Sequence, residues 1–170
     1  MALRILWFSN APWAPTGYGM QTAQAWWRIQ KLGHTIPAIG CNYGHEGMPI
    51  GFGAGGEQTQ VWGKGMHPAG NDIIAAQAQA CKADIVITLY DTWIFNPQIT
   101  AQIKWCPWMP ADHDPLPPAI AEAMKGAFVP IAFAQFGVDS SRPLLIAASS
   151  RCRVCSFCAA LGSMNPSSVQ

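Results

Sequence analysis

Ile5-Leu6-Trp7-Phe8-Ser9-Asn10-Ala11-Pro12-Trp13-Ala14-Pro15-Thr16-Gly17-Tyr18-Gly19-Met20-Gln21-Thr22 runs from an apolar strand through a Pro/Gly loop into a helix. In α/β proteins such a strand ends at the carboxyl edge of a parallel sheet, where ligands bind. Gly17 and Gly19 let backbone N–H groups approach a ligand closely, and the helix that follows offers its positive end. A phosphorylated or sugar ligand is the expected occupant. The same glycines also suit a tight loop with no ligand role.

The pattern outside this stretch repeats the strand-helix alternation. Leu3 to Ser9 reads as a buried strand, Met20 to Leu32 as a helix with Gly33 past its end, and Thr35 to Ile39 as a second, shorter strand containing Pro37. Residues 40 to 56 are Gly-rich and read as a long loop, and Thr59 to Trp62 as a strand or half of a hairpin. Asn71 or Asp72 is placed to cap a helix through Ile73, Ile74, Ala76 and Ala80. Ala83 to Leu89 is the strongest buried-strand run in the chain. A helix from Pro97 through Ile103, a strand from Lys104 to Met109, a helix from Ala119 to Lys125 and a strand from Val129 to Ala134 follow. The expected fold is α/β, a doubly wound, mostly parallel sheet of about five or six strands.

Composition narrows the function classes. The 170 residues are half apolar, enough for one substantial core, and a net charge of +1 gives no electrostatic footprint for nucleic acid or an acidic membrane surface. The apolar run after Arg4 stops at Asn10, too short for a secretory signal, and no segment reaches the length of a membrane span, so the expected location is cytoplasmic. Cys41, Cys81 and Cys106 are scattered and read as reduced, buried thiols, and no zinc pattern occurs. No metal is expected.

The chain changes character near residue 138. Ser9 is the single serine through Val138, whereas eight serines crowd the residues from Ser140 onward, and neither an acid after Asp139 nor a tryptophan after Trp108 occurs. Leu144-Leu145-Ile146 and Cys152, Cys155 and Cys158 are out of place in a solvated linker. The expected organisation is a domain over residues 1–138 and an irregular tail over 139–170, disordered, read out of frame or belonging to a truncated product. The Cys-x-x-Cys-x-x-Cys run lacks the fourth ligand of an iron–sulfur site.

Several side chains fall beyond strand ends. Asp112-His113-Asp114 follows an apolar strand and is stiffened by Pro115, Pro117 and Pro118, which holds the His113 imidazole at the ligand edge between two carboxylates that favour its protonated form. The triplet also suits a helix cap. Asp91 fits either an acceptor-hydroxyl base or a loop-capping carboxylate. Trp13, Trp93 and Trp108 lie near strand ends, where a ring face can stack on a sugar, while core packing is the ordinary role of a tryptophan and the reading for Trp7, Trp26, Trp27, Trp62 and Trp105.

The ordered set Ile5 to Asn10, Thr16-Gly17-Tyr18-Gly19, Gln21-Thr22, Leu32-Gly33-His34, Tyr43-Gly44, Gly70-Asn71-Asp72, Ala83-Asp84, Thr88-Leu89-Tyr90-Asp91, Trp93, Trp108, Pro110, Asp112 to Pro117 and Gln135-Phe136-Gly137 resembles the N-terminal half of a family 4 glycosyltransferase of GT-B fold. The resemblance covers residues 3 to about 138. It implies a transferase with two Rossmann-like domains facing each other, the N-terminal one receiving the acceptor and the C-terminal one gripping the nucleotide-sugar donor. That resemblance implies that the loop of Gly17, Tyr18 and Gly19 lies close to donor phosphates and that His113 faces the transferred sugar as a catalytic residue; with the strand-end positions, Asp91 is the second expected catalytic residue, and Asp112, Asp114, Trp13 and Trp93 are the expected substrate contacts. The implied partners are a nucleotide-sugar and a small-molecule or glycan acceptor, with the nucleotide-sugar as co-substrate and no metal. The donor-binding domain lies outside the sequence, so the polypeptide is expected to be inactive alone.

Two other classes are open. A nicotinamide-dependent oxidoreductase would use the Gly-rich turn, but the third glycine is absent, the glycines lie well past the strand end, and the second strand ends in Gly40-Cys41-Asn42 with no acid for a ribose 2′-hydroxyl. A non-catalytic sugar- or phosphate-binding module is the other.

Overall fold

The computed structural model describes residues 1–44, 50–53, 56–133, 136, 137, 139 and 140. The tail beyond Ser140, with its cysteine run, lies outside the described residues.

Seven strands form one sheet. They are β1 (Arg4–Ser9), β2 (Thr35–Cys41), β3 (Ile50–Phe52), β4 (Gln58–Trp62), β5 (Ile85–Thr88), β6 (Trp105–Met109) and β7 (Ile131–Ala132), in the spatial order β3-β4-β2-β1-β5-β6-β7. All neighbours pair parallel except β3, which pairs antiparallel with β4. The helices are α1 (Gly17–Lys31), α2 (Ile74–Ala80), α3 (Pro97–Thr100) and α4 (Pro118–Met124), with a 3₁₀ turn at Thr92–Ile94. This is the expected Rossmann-like, doubly wound α/β fold, with β3 as its antiparallel edge.

Both faces of the central strands are covered, which is why they read as unbroken apolar runs. Along β1 the side chains alternate: Ile5 and Trp7 join the core with Trp26 and Ile29 of α1, whereas Leu6 and Phe8 join the opposite core with Ile74 and Ala78 of α2 and with Phe95. Trp7, Trp26, Trp105 and Phe8 are among the largest fully buried side chains. The Trp7 indole donates to the Thr22 hydroxyl at 3.2 Å and the Trp105 indole to that of Thr88 at 2.8 Å, so two of these tryptophans bury their N–H groups with partners. Trp108 belongs to the core as well, edge-on to Trp7 and stacked on Phe133 at 4.9 Å. Trp27 and Trp62 are half-buried, and the Trp27 ring carries Arg28 and Lys31 over its faces. Cys41, Cys81 and Cys106 are buried thiols, as the sequence suggests.

Some boundaries and caps differ from the expected ones. Helix α1 begins at Gly17 rather than Met20, because Thr16 is its N-cap: the Thr16 hydroxyl accepts from the Gly19 amide at 3.0 Å. The 40–56 stretch contains strand β3, whose backbone pairs Ile50 with Gln60 and Phe52 with Gln58. A three-residue edge strand with a central glycine has almost no local signal, since its partner strand decides it. Asn71 and Asp72 do not cap α2. Asn71 donates to the Ile94 carbonyl and accepts from the Asn96 amide, and Asp72 accepts from the amides of Met66 and His67, so both pin loops to the helix start. Helix α3 is one turn long, started by Asn96 and Pro97.

Candidate functional site at the reversal of strand order

The parallel strands, numbered among themselves, lie in the order 3-2-1-4-5-6, and the direction of winding reverses between β1 and β5. Chain leaving these two neighbours therefore diverges to opposite faces, which is the point outside the carboxyl ends where open α/β sheets hold their ligands. Residues 10–16 form one wall and residues 89–92 the other.

The wall after β1 is built from its own side chains. The Asn10 amide donates to the Thr16 hydroxyl at 2.7 Å, and the Thr16 backbone N–H donates to the Ala14 carbonyl at 2.8 Å. A Cβ on Gly19 would sit 2.3 Å from the Ala14 carbonyl oxygen, so only glycine lets the helix start lie against this loop. Gly17 faces open space. With the Gly19 amide taken by Thr16, the first two amides of the helix, those of Gly17 and Tyr18, are the ones aimed out of its end.

The wall after β5 meets the first through two phenols. Tyr18 donates from its hydroxyl to Asp91 Oδ1 at 3.0 Å, and its ring lies edge-on to Tyr90 at 5.6 Å between centroids. Tyr90, 5% exposed, donates to Asn10 Oδ1 at 2.7 Å and also bonds to Asn42 Oδ1, so the loops after β1, β2 and β5 converge on a single hydroxyl. Burial, above all, raises the Tyr18 phenol well beyond its usual range, and the hydrogen bond and charge of Asp91 and the charge of Asp112 add to the rise. The Tyr90 phenol is likewise raised by burial and then by the neighbouring Cys41. Cys41, at the end of β2, is pushed by burial up to about 12. Its thiol donates to the Trp62 carbonyl.

The loop after β6 forms the far side. His113 Nδ1 pairs with Asp112 Oδ1 at 2.6 Å, both side chains being exposed, and this hydrogen bond holds the Asp112 carboxyl below the usual range. This loop follows β6, which pairs parallel with β5, so it leaves the sheet at the same carboxyl edge as the loop bearing Asp91. Asp114 is exposed on the same loop.

Of the residues singled out in the sequence, the fold pairs Tyr18 with Asp91 and Asp112 with His113, at the ends of adjacent parallel strands. Gly17 is at the helix mouth, and Gly19 is a packing glycine beneath it. Trp13 is half-buried against the core and donates from its indole to the Gly44 carbonyl at 2.5 Å, which ties down the chain after β2. Trp93 stands 55% exposed on the 3₁₀ turn. Asn10, Thr16, Asn42 and Tyr90 were not singled out for the site. The one local cue was Thr16, a hydroxyl directly ahead of a helix start.

Among the described residues no group of three or more His, Cys, Asp and Glu side chains is arranged to hold a metal ion, and no helix is long and apolar enough to cross a membrane. The chain matches no family model and no curated protein sequence.

Proposed function

We propose that this domain handles the carbohydrate in a nucleotide-sugar-dependent glycosyl transfer, as the acceptor-side half of a glycosyltransferase resembling family 4. The observation that carries the reading is the pairing of Tyr18 with Asp91 at the reversal of strand order, with Asp112 and His113 on the next strand end. Sugars are recognised by fixed carboxylates and donors that fork onto neighbouring hydroxyls. Tyr18 occupies Oδ1 of Asp91 and leaves Oδ2 to accept from a sugar hydroxyl. Asp112 occupies Nδ1 of His113 and leaves Nε2 for a second hydroxyl or a departing phosphate.

In the transfer step, the acceptor oxygen forms a bond to the anomeric carbon as the bond from that carbon to the diphosphate breaks. The acceptor proton passes to Asp91 Oδ2, and the electron pair of the broken bond leaves on the diphosphate. The amides of Gly17 and Tyr18 and the positive end of α1 favour the charge that grows there. Trp93 offers an uncovered ring beside Asp91 for a sugar face.

The strand order is also that of dinucleotide-binding domains, which favours the oxidoreductase as a second reading. Against it, β2 ends in Cys41 and Asn42, and the Asn42 side chain is occupied on both ends by Tyr90 and the Pro68 carbonyl. Ligand-observed NMR separates the two, with uridine-, guanosine- and adenosine-diphosphate hexoses, free saccharides and NAD as probes. A saccharide-bearing ligand is expected to bind saturably, and Asp91→Asn to weaken it about tenfold or more, the worth of a hydrogen bond to a charged group. Binding of NAD in preference to every saccharide, or an Asp91→Asn variant with unchanged saccharide affinity, would overturn the reading.

A further inference from the structure

A cavity of about 530 Å³, with Tyr90 in its lining, opens at the carboxyl edge of the sheet outside the ends of β1, β2 and β4. Its floor is polar and largely bonded to itself. Asn10 gives its N–H to Thr16, and Asn42 gives its N–H to the Pro68 carbonyl at 2.7 Å, and the Oδ1 atoms of both share the one proton of the Tyr90 hydroxyl. With these groups turned on one another, the floor is rigid and offers few hydrogen bonds to a guest.

The rim is different in kind, carrying Tyr43, Lys64 and His67. The loop that bears Lys64 and His67 is fixed from below by Asp72, whose carboxylate accepts the amides of Met66 at 2.6 Å and His67 at 3.2 Å. His67 Nδ1 accepts from the Ala69 amide at 3.0 Å, which fixes the neutral ring as the tautomer with its proton on Nε2. Lys64 contributes an ammonium with no ion-pair partner among the described residues, and no Asp or Glu lines the cavity. The rim thus presents a cation, an imidazole N–H and a phenol, and the carboxylate nearest to them among the described residues, that of Asp72, is taken up by the loop amides beneath. Met66, 96% exposed, and Tyr43, 55% exposed, add apolar flanks.

We infer that this cavity is a recognition site for an anionic group, a carboxylate or a phosphate, carried on a small polar molecule, with Lys64 and His67 as its donors. An unpaired lysine beside an oriented N–H donor on a braced loop is complementary to an oxyanion and indifferent to a neutral hydroxyl. The inference stands apart from the transferase reading, since it needs neither Asp91 nor His113.

Amide chemical-shift titration of the full chain tests it, with inorganic phosphate, glucose 6-phosphate, glucuronate and glucose as separate probes. At least one anion is expected to move the amides of Tyr43, Gly65 and His67 along a saturable curve while glucose does not, and the phosphate and glucuronate arms tell which anion is preferred. Lys64→Ala should weaken that binding about tenfold, as loss of a charge-assisted hydrogen bond requires. Lys64→Arg should retain most of it, and Lys104→Ala, on a lysine outside the cavity, should leave it unchanged. Lys64 is exposed, so its variants report on binding rather than on folding. Equal response to glucose, unaltered anion binding in Lys64→Ala, or no saturable response to any anion would overturn the assignment.

Discussion

Gly70 shows how much a single residue sets at the carboxyl edge. Its backbone has a φ of +69°, and a Cβ there would lie 2.3 Å from Cζ of the buried Phe8 ring. Left-handed strain and overpacking against a fixed aromatic add, so Gly70→Ala is expected to lower stability by about 2–4 kcal/mol, read as a shift of the urea midpoint. The sequence marked Gly70 only as part of a resemblance. The neighbour that makes glycine necessary is Phe8, sixty-two positions away, and no local pattern carries that information. The same limit applies to Tyr90, which directly follows the Ala83 to Leu89 strand run and holds two asparagines from other strand ends.

At the scale of elements, the strands were legible and the helix starts less so. An unbroken apolar run such as Ile85-Val86-Ile87-Thr88 has one reasonable destination in a parallel sheet. The start of α1 depends instead on a hydrogen bond from Gly19 to Thr16 that stabilises Gly17 and Tyr18 as helix despite their weak helical propensity. Thr16→Ala should cost about 1–2 kcal/mol, because it removes the cap and the acceptor for Asn10 together. Thr16→Ser should recover most of the loss. Equilibrium unfolding measures both, and hydrogen exchange at the Gly19 amide, accelerated in the alanine variant alone, assigns the effect to the cap. Strand β3 escaped notice for the opposite reason, having no propensity of its own and a register set by β4.

At the scale of the whole molecule, the fold gathers three acids that it keeps protonated. Tyr18, Tyr90 and Cys41 all have their ionisation raised, chiefly by burial. In the unfolded chain the thiol and phenols lose protons from their ordinary values of 9.0 and 10.0 upward, whereas the folded protein retains them, Cys41 until about 12. The unfolded state then binds fewer protons, so stability is complete below about pH 9 and declines as pH rises through the folded-state values. Thermal midpoints measured from about pH 8 to about pH 11 should fall over that window, and the fall should be shallower in Tyr18→Phe, which cannot ionise there. The sequence announced the sheet, its winding and the edge at which chemistry-bearing side chains collect. It was silent on which of them touch, because contact between Tyr18 and Asp91 depends on two loops meeting across a gap in the strand order.

The Tyr90 hydroxyl is a knot tying three strands' exits to one another. Removing that one oxygen would untether the exits of β1, β2 and β5 together, since the asparagines on the first two reach the third through it alone. The cavity lined by Lys64 and His67 thus owes the set of its floor to a residue that arrives from a strand on the other side of β1.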